Sequence, residues 1–217
     1  MSSLPFKDRS DAGHALARKL GHYRGNSNVV VLALPRGGVP VGFEVADFLD
    51  APLDVFLVRK LGVPGHEELA LGAIASGGVR VLNQDVLYMT RIDEQGIDAI
   101  AEREQQELER REKEYRDDRP AAEIRGRIVI LVDDGLATGA TMLAAARAIR
   151  KLRPQRLVVA VPVSSPEACD NFRREVDEIV CAETPRPFQA VGLWYEDFSQ
   201  TSDEEVRDLL SRAVRTL

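Results

Sequence analysis

Two adjacent carboxylates and the small, hydroxyl-rich turn after them are the residues of this chain best suited to chemistry. Asp133 and Asp134 follow an apolar run directly, and Gly-Leu-Ala-Thr-Gly-Ala-Thr comes next, at residues 135–141. A turn between a strand and a helix offers backbone N–H groups, here two threonine hydroxyls, and the positive end of a helix dipole, which together suit a phosphate. The carboxylates suit the hydroxyls of a sugar diol or a divalent cation. We therefore expect a ligand with a phosphate and a sugar diol.

A second candidate site for an anion follows the apolar run at residues 29–34. Arg36 supplies a planar fork of N–H donors for phosphate oxygens, and Gly37 and Gly38 let the backbone approach a ligand or adopt positive φ. The alternative is an ordinary glycine turn beside a solvated arginine. Because the turn precedes a helical pattern, it repeats the strand–turn–helix arrangement around Asp133.

Two cations stand at the expected carboxyl end of another strand, residues 53–58. These are Arg59 and Lys60, and the glycine- and proline-containing stretch after them predicts a mobile loop. Residues 73–76 and 79–82, joined by two glycines, predict a hairpin. Such loops can close over reactions that must exclude water. The alternative is a surface excursion with both cations solvated.

The elements that must position these residues alternate between strand and helix patterns. Unbroken apolar runs are typical of strands buried on both faces of a parallel sheet. The predicted strands are residues 29–34, 53–58, 128–132, 157–163 and 178–181; the predicted helices are residues 8–23, 41–48, 93–116, 142–152, 166–174 and 203–214. This order predicts an α/β fold with a doubly wound, mostly parallel sheet flanked by helices.

We expect one domain over residues 1–217. Its core would span about 27–165, with a flexible loop and β-ribbon at about 59–82. A small C-terminal hood at about 184–200 would be joined by the N-terminal segment.

The hood gathers aromatic side chains beside acids. They are Phe188, Trp194, Tyr195 and Phe198, next to Glu196 and Asp197. An aromatic group beside carboxylates suits a flat ring as ligand. The alternative is that these rings only cover the end of the sheet.

The strongly charged helix at residues 93–116 has few apolar positions. Glutamates four residues before arginine or lysine favour a solvated helix. The alternative is self-association through a narrow stripe formed by Ala101, Leu108 and Tyr115.

Composition limits the partners that we expect. The 217 residues are 44% hydrophobic and carry a net charge of −6, which gives no reason to expect nucleic acid or an anionic membrane as partner. The chain shows neither a leader pattern nor an apolar run of membrane-spanning length, so we expect a cytoplasmic protein. Cys169 and Cys181 lack metal-site spacing, and we expect them to be buried and reduced.

Three stretches carry a resemblance to a known family. Val129–Thr141 resembles the thirteen-residue signature of the type I phosphoribosyltransferases, which bind 5-phosphoribosyl 1-pyrophosphate. Pro35–Gly38 is similar to the family's pyrophosphate loop, and Val58–Gly65 resembles the start of its flexible catalytic loop. The resemblance covers most of residues 29–198, and the chain looks like an uncharacterised bacterial branch of the family.

The resemblance implies a role for each matching position. Asp133 and Asp134 would bind the ribose hydroxyls, directly or through magnesium-bound water. The 5-phosphate would be held by Ala137, Thr138, Gly139, Ala140 and Thr141; the pyrophosphate by Arg36, Gly37 and Gly38. A non-proline cis peptide is expected at Pro35–Arg36, and Lys60 with Arg59 would close over the leaving group.

The acceptor is where the sequence departs from well-known members. Enzymes for 6-oxopurines carry an acid at the position of Ala137, so hypoxanthine and guanine are disfavoured. The Ala-Thr-Gly turn is closer to adenine-type enzymes, but Ala70 replaces their loop glutamate. The nearby acids and histidine that could substitute are His66, Glu67 and Glu68. Gly135 is unusual where a branched apolar residue is common.

The hood offers further candidates by the same resemblance. Glu196, or its neighbour Asp197, matches an acid that approaches the metal in the oxopurine enzymes, while Trp194 and Tyr195 would face the acceptor.

The leading hypothesis is a magnesium-dependent, homodimeric phosphoribosyltransferase acting on small molecules. A non-catalytic sensor of phosphoribosyl pyrophosphate is the alternative, although the chain shows no basic helix-turn-helix pattern and retains Lys60. A sugar-phosphate hydrolase is a third hypothesis, but it lacks a clear nucleophile.

Overall fold

A computed structural model describes residues 4–90, 92–117 and 119–213, and within them parallel strands form a central sheet in the order β2-β1-β6-β7-β8. The strands are β1 (Val29–Ala33), β2 (Leu53–Val55), β3 (Val58–Val63), β4 (His66–Ala75), β5 (Val79–Leu82), β6 (Ile128–Val132), β7 (Arg156–Val163) and β8 (Glu178–Glu183). The helices are α1 (Arg9–Lys19), α2 (Gly38–Leu49), α3 (Gln84–Thr90), α4 (Glu94–Arg116), α5 (Ala140–Lys151), α6 (Pro166–Phe172) and α7 (Asp203–Arg212). The predicted α/β fold is confirmed, and residue 214, the predicted end of the last helix, lies outside the described residues.

Two apolar cores lie on opposite faces of the sheet. Alternate residues of β1 point into each core, with Val31 among residues of α1, α2 and α7, and Leu32 among residues of α5 and α6. All five residues of β1 are buried, as the unbroken apolar run predicts. The sheet is therefore covered on both faces, which is the doubly wound arrangement.

The strand order reverses direction between β1 and β6, which lie side by side in the middle of the sheet. Ala33 at the end of β1 pairs with Val132 at the end of β6. The helix after β1 packs on one face and the helix after β6 on the other, so the two connections diverge and leave a crevice between them. Ligands of open α/β sheets bind in such a crevice. The fold thus brings the turns after Ala33 and Val132 to one place.

The segment predicted as a mobile loop is instead an antiparallel ribbon formed by β3, β4 and β5. The predicted strand at residues 53–58 breaks at Phe56 and Leu57, whose side chains are buried, and β3 starts at Val58. Arg59 and Lys60 therefore lie inside an antiparallel strand, and the prediction that they end a parallel strand is wrong. The hairpin from β4 to β5 forms as predicted, through the short turn at Ser76–Gly78.

The apolar stripe of α4 packs inside this chain. Ala101 and Leu108 are fully buried and Tyr115 nearly so, within the core that also contains residues of β3, β4 and α7. The hypothesis of self-association through this stripe is therefore wrong, because its side chains already pack against other elements of the same chain. The opposite face carries the predicted ion pairs, such as the one between Arg111 and Glu107 at 2.9 Å.

The segment before α1 is hydrogen-bonded to the hood. The backbone N–H of Phe6 donates to the carbonyl of Trp194 at 2.8 Å, and the N–H of Glu196 donates to the carbonyl of Phe6 at 2.7 Å. Phe6 is buried and its ring centroid lies 5.7 Å from that of Tyr195. Residues near both ends of the chain thus form one small structure at the edge of the sheet.

The two cysteines form a disulfide between α6 and β8, so the prediction that they are reduced is wrong. Cys169 and Cys181 are only 12 residues apart, and the packing of α6 on the end of β8 brings them together. Sequence spacing alone does not reveal this contact.

Within the described ranges, none of the helices combines the length and apolar character needed to cross a membrane.

Candidate functional site

The acidic pair lies at the crevice between β1 and β6. Asp133 and Asp134 follow β6 directly, and the N–H of Leu34 donates to the carbonyl of Val132 at 2.9 Å, which extends the pairing of the two strands by one residue. The N–H of Asp134 donates to Oδ1 of Asp133 at 2.9 Å and fixes that carboxylate. The pair therefore stands beside the turn at Pro35–Gly38.

The paired glycines of this turn leave room for the carboxylates. A Cβ on Gly37 would overlap Oδ2 of Asp134 and lie 2.8 Å from its Cγ, while a Cβ on Gly38 would lie 2.9 Å from the carbonyl oxygen of Val132. Gly37 has a φ of −60°, so close approach, and not positive φ, is the reason for glycine at this position. The expected non-proline cis peptide is present at Pro35–Arg36.

A residue that sequence reasoning missed, Arg9, holds the second acid. Its Nε donates to Oδ2 of Asp134 at 2.9 Å, and its Nη1 donates to the carbonyl of Ser199 at 2.7 Å. The guanidinium lies 4.1 Å from the ring centroid of Phe198, and the side chains of Arg9 and Asp134 are only 12% and 16% exposed. Arg9 begins α1, where the helix dipole disfavours a cation, and this is the signal that the sequence offered.

Burial sets the protonation behaviour of the acidic pair. Loss of solvent raises the pKa of Asp133 well above its usual value, and the neighbouring charge of Asp134 raises it further. Burial also raises the pKa of Asp134, but Arg9 opposes this shift. The two carboxylates thus form a desolvated negative site in which only Asp134 has a cation in direct contact among the described residues.

The turn after the acids is shaped for an anion. Leu136 is buried and its N–H donates to the carbonyl of Val163, which fixes the start of the turn. Gly139 has a φ of +75°, a conformation that favours glycine, and a Cβ there would lie 2.7 Å from Cε2 of Phe172. No side chain caps α5, which starts at Ala140. The predicted phosphate-binding residues with exposed positions are Ala137, Thr138, Ala140 and Thr141.

The ribbon separates the two predicted catalytic cations, because successive side chains of a strand point to opposite faces. Lys60 lines a cavity of about 580 Å³ together with Ala140 and Thr141 at the start of α5. Arg59 points to α4, where its Nε donates to Glu104 at 2.7 Å. Lys60 therefore lies at the candidate phosphate turn and Arg59 does not.

The side chain of the remaining predicted cation, Arg36, extends toward α7. Its Nη1 lies 3.8 Å from Oδ2 of Asp203, and Oδ1 of the same carboxylate accepts a hydrogen bond from the hydroxyl of Tyr115 at 2.6 Å. The Arg36 side chain is 34% exposed, so it is not enclosed by this contact. Glu68, the third predicted catalytic residue, lies in β4, but its side chain is outside the described part of the structure.

The hood packs directly on the acidic turn. The hydroxyl of Tyr195 donates to the carbonyl of Asp134 at 2.5 Å, and burial, with the charge of Asp134 next, raises the pKa of that hydroxyl. Trp194 stacks on Phe188 with ring centroids 6.4 Å apart, and its buried Nε1–H has no hydrogen-bond partner within the described ranges. A buried N–H without a partner is rare in folded proteins and calls for an explanation.

Glu196 is exposed and its backbone is bonded to Phe6. Among the side chains that the structure describes, His, Cys, Asp and Glu form no group of three or more that could hold a metal ion, so Glu196 is not clustered with Asp133 and Asp134. Its predicted metal contact stays a prediction.

Comparisons with known proteins agree with this geometry. A family model described as phosphoribosyl transferase domain matches residues 8–193. A Mycobacterium tuberculosis H37Rv protein with a provisional phosphoribosyl transferase name is 50% identical over 210 residues, covering 97% of this chain and 47% of that protein. The chain thus spans about half the length of the curated relatives it matches. The crystal structure of TT1426 from Thermus thermophilus shares 45% identity and a TM-score of 0.83, covering 95% of this chain and 98% of that one.

Proposed function

This chain belongs to the phosphoribosyl transferase domain family, and we propose that it transfers a phosphoribosyl group from 5-phosphoribosyl 1-pyrophosphate to a nitrogenous, nucleobase-like acceptor, with release of pyrophosphate. One observation carries the proposal. The half-buried pair Asp133 and Asp134 lies between two turns suited to anions, one at Pro35–Gly38 and one at residues 137–141. A ribose that carries a phosphate at one end and a pyrophosphate at the other requires a binding site for its hydroxyls between two sites for anions.

The acidic pair would bind the ribose 2- and 3-hydroxyls. Displacement at the anomeric carbon breaks the bond to pyrophosphate and forms a bond to the acceptor nitrogen, while positive charge develops on the ribose ring. Asp133 and Asp134 stabilise that charge because they are desolvated carboxylates next to the ring. The turn from Ala137 to Thr141, which includes Thr138, Gly139 and Ala140, would hold the 5-phosphate.

Two side chains are proposed to act on the leaving group. Arg36, with the N–H groups of Gly37 and Gly38, would bind the pyrophosphate. Lys60, which lies beside Ala140 and Thr141 in this structure, would reach the pyrophosphate only after a movement of the ribbon. Arg59 would join them only after leaving Glu104, its partner at 2.7 Å. Arg59 therefore stays a weaker candidate than Lys60, and Glu68 stays a proposed catalytic residue.

The donor set fits magnesium. Two adjacent carboxylates supply oxygen ligands, and magnesium takes one or two of these together with substrate oxygens and water. Burial raises the pKa of both carboxyl groups, and a cation bound here would stabilise their charged forms. When bound, the ion would neutralise the developing charge on pyrophosphate.

The acceptor would lie against the hood. Trp194 offers a ring face and an unpaired N–H donor, which suit a flat heterocycle with an acceptor atom. Ala137 offers no carboxylate to a ring N–H, so a 6-oxopurine is disfavoured.

A homodimer and a cytoplasmic location also stay part of the proposal.

A phosphoribosyl pyrophosphate sensor without transferase activity is the second candidate. The pairing of Arg59 with Glu104 and the lean of Arg36 toward Asp203 favour it, because both arginines are held by acids.

Calorimetry and pyrophosphate release separate these candidates. The native chain should bind 5-phosphoribosyl 1-pyrophosphate with magnesium, and Asp133→Asn with Asp134→Asn should abolish binding. The control, Asp170→Asn with Asp208→Asn, removes two exposed carboxylates and should bind normally. Equal affinity in the first double variant would refute the site.

Pyrophosphate release with one member of a panel of nucleobases and related heterocycles would identify the transferase and its acceptor. Binding without release across the panel would favour the sensor, and absence of binding to the native chain would contradict both.

A further inference from the structure

We propose that Arg9 is a positioning residue that orients Asp134 for the ribose and connects the hood to ribose binding; this inference rests on the proposed function. Arg9 belongs to α1, outside every segment that resembles the family's motifs. It contacts Asp134, Ser199 and Phe198 at once.

The contact with Asp134 selects one carboxylate oxygen for the ligand. Oδ2 accepts the hydrogen bond from Arg9, and Gly37 lies so close to this same atom that a Cβ there would overlap it. Oδ2 is therefore enclosed by protein, which leaves Oδ1 as the oxygen that can accept a hydrogen bond from a ribose hydroxyl. A carboxylate held in one rotamer loses less entropy when its ligand binds.

The guanidinium is itself fixed. A planar cation that donates to two acceptors and stacks on an aromatic ring has little rotational freedom, and the Arg9 side chain is 12% exposed. A lysine cannot reproduce this arrangement, because its ammonium has neither the fork nor the planar face. The site is thus built for arginine and not for positive charge alone.

The other contacts of Arg9 lie in the hood. Ser199 and Phe198 belong to the segment that also places Tyr195 on the carbonyl of Asp134. The hood therefore holds Asp134 in two ways. Tyr195 bonds to the backbone carbonyl of Asp134 directly, and Arg9 connects the Asp134 side chain to the hood. A shift of Asp134 on ribose binding must move the hood, where Trp194 would face the acceptor. Binding of the first substrate would then shape the site of the second.

The test uses the fluorescence of Trp194, the one tryptophan of the chain. Native protein, Arg9→Ala and Arg9→Lys are titrated with 5-phosphoribosyl 1-pyrophosphate and magnesium by calorimetry and by tryptophan emission. Arg18→Ala is the matched control, since Arg18 lies exposed in the last turn of the same helix.

Arg9→Ala should bind the ligand about 10-fold or more weakly, the effect of losing a hydrogen bond between charged groups. Its emission change on binding should be lost, and added methylguanidinium should restore part of both signals. Arg9→Lys should remain impaired and Arg18→Ala should match the native chain. Thermal unfolding by circular dichroism verifies that each variant is folded.

Native-like affinity and emission in Arg9→Ala would overturn the inference, as would a loss that methylguanidinium does not restore in folded protein. Failure of the proposed function gives a different result, because the native chain would then not bind the ligand. Acrylamide quenching of Trp194 without ligand still tests the link to the hood in that case. Stronger quenching in Arg9→Ala supports the link, and equal quenching refutes it.

Discussion

Val191 occupies the space in which a side chain on Gly135 would lie. A Cβ on Gly135 would overlap Cγ1 of Val191 and lie 2.8 Å from Cγ2 and 3.1 Å from Cβ. Gly135 directly follows the acidic pair, and Val191 belongs to the hood. Gly135 is unusual at its position in the phosphoribosyltransferase signature. The packing of the hood on this turn explains it, because no space is left for a side chain.

We predict that Gly135→Ala destabilises the fold by about 1–3 kcal/mol, the usual cost of overpacking, and weakens ligand binding by moving the hood. Val191→Ala in the same chain should recover most of the loss, because it removes both methyl groups that a Cβ would meet. Urea unfolding of the two single variants and the double variant measures this coupling. Additive losses would show that the two positions do not share space.

Gly37→Ala tests the close approach of the backbone to Asp134. Because the new methyl group would overlap Oδ2, the carboxylate must rotate, and we expect affinity for 5-phosphoribosyl 1-pyrophosphate to fall about 10-fold or more. Gly21→Ala is the control, since its Cβ would meet only Cε1 of Phe48 at 3.9 Å and its φ is not positive. Calorimetry should separate the two variants, and equal affinities would contradict the steric role of Gly37.

Asp133→Asn should stabilise the ligand-free protein at neutral pH. Burial raises the folded-state pKa of Asp133 above the unfolded value of 3.8, so the folded chain binds the proton more tightly. Stability therefore falls as pH rises from 3.8 through the raised pKa, and the carboxylate stays unfavourable above it. Each kcal/mol regained by asparagine raises Tm by about 2–4 °C in a chain of this size.

Thermal melts in a chelator from about pH 3.5 to 8 measure this effect, since they start below the unfolded value of 3.8 and extend through neutral pH. The advantage of Asp133→Asn should shrink as the pH approaches 3.8, and a constant or inverted difference would contradict burial as the cause.

Leu108→Ala should destabilise the chain by about 2–5 kcal/mol without changing its oligomeric state, because Leu108 is fully buried inside one chain. Met89→Ala is the control, since Met89 is 66% exposed and should change stability by less than about 0.5 kcal/mol. Urea unfolding and gel filtration test both expectations. If Leu108→Ala but not Met89→Ala dissociated an oligomer, the stripe of α4 would instead lie in an interface between chains.

Reduction of the Cys169–Cys181 disulfide should lower the free energy of unfolding by about 3 kcal/mol, the value for a closed loop of roughly this length. Peptide mapping without reductant should recover the two cysteines linked. Cys169→Ala with Cys181→Ala should then unfold like the reduced native chain, and no response to reductant would indicate free thiols.

The sequence predicted the sheet well because the signals of its strands are local. Unbroken apolar runs marked the buried strands, and the residues just after Ala33 and Val132 had to meet once those strands were parallel neighbours. The resemblance to the phosphoribosyltransferases is confirmed by the family model over residues 8–193.

The errors arose where contacts are distant in sequence. The glycines and proline after Lys60 are compatible with a loop and with a twisted hairpin, and only pairing to β4 decides between them. The stripe of α4 was too narrow to show whether its partner was the same chain. Arg9 offered only the weak signal of a cation at a helix N-terminus, which does not identify a partner 125 residues away.

The contacts of Arg9 also bear on when this site is completed during synthesis. Its carbonyl partner, Ser199, lies 190 residues farther along the chain, so this is a highly non-local contact, and such contacts are slow to form. A nascent chain that ends after β7 contains both Arg9 and Asp134, but it lacks Ser199 and Tyr195, the hood residues that fix Arg9 and the carbonyl of Asp134. The acidic site of such a chain would therefore have its arginine but not the hood contacts that hold that arginine in place.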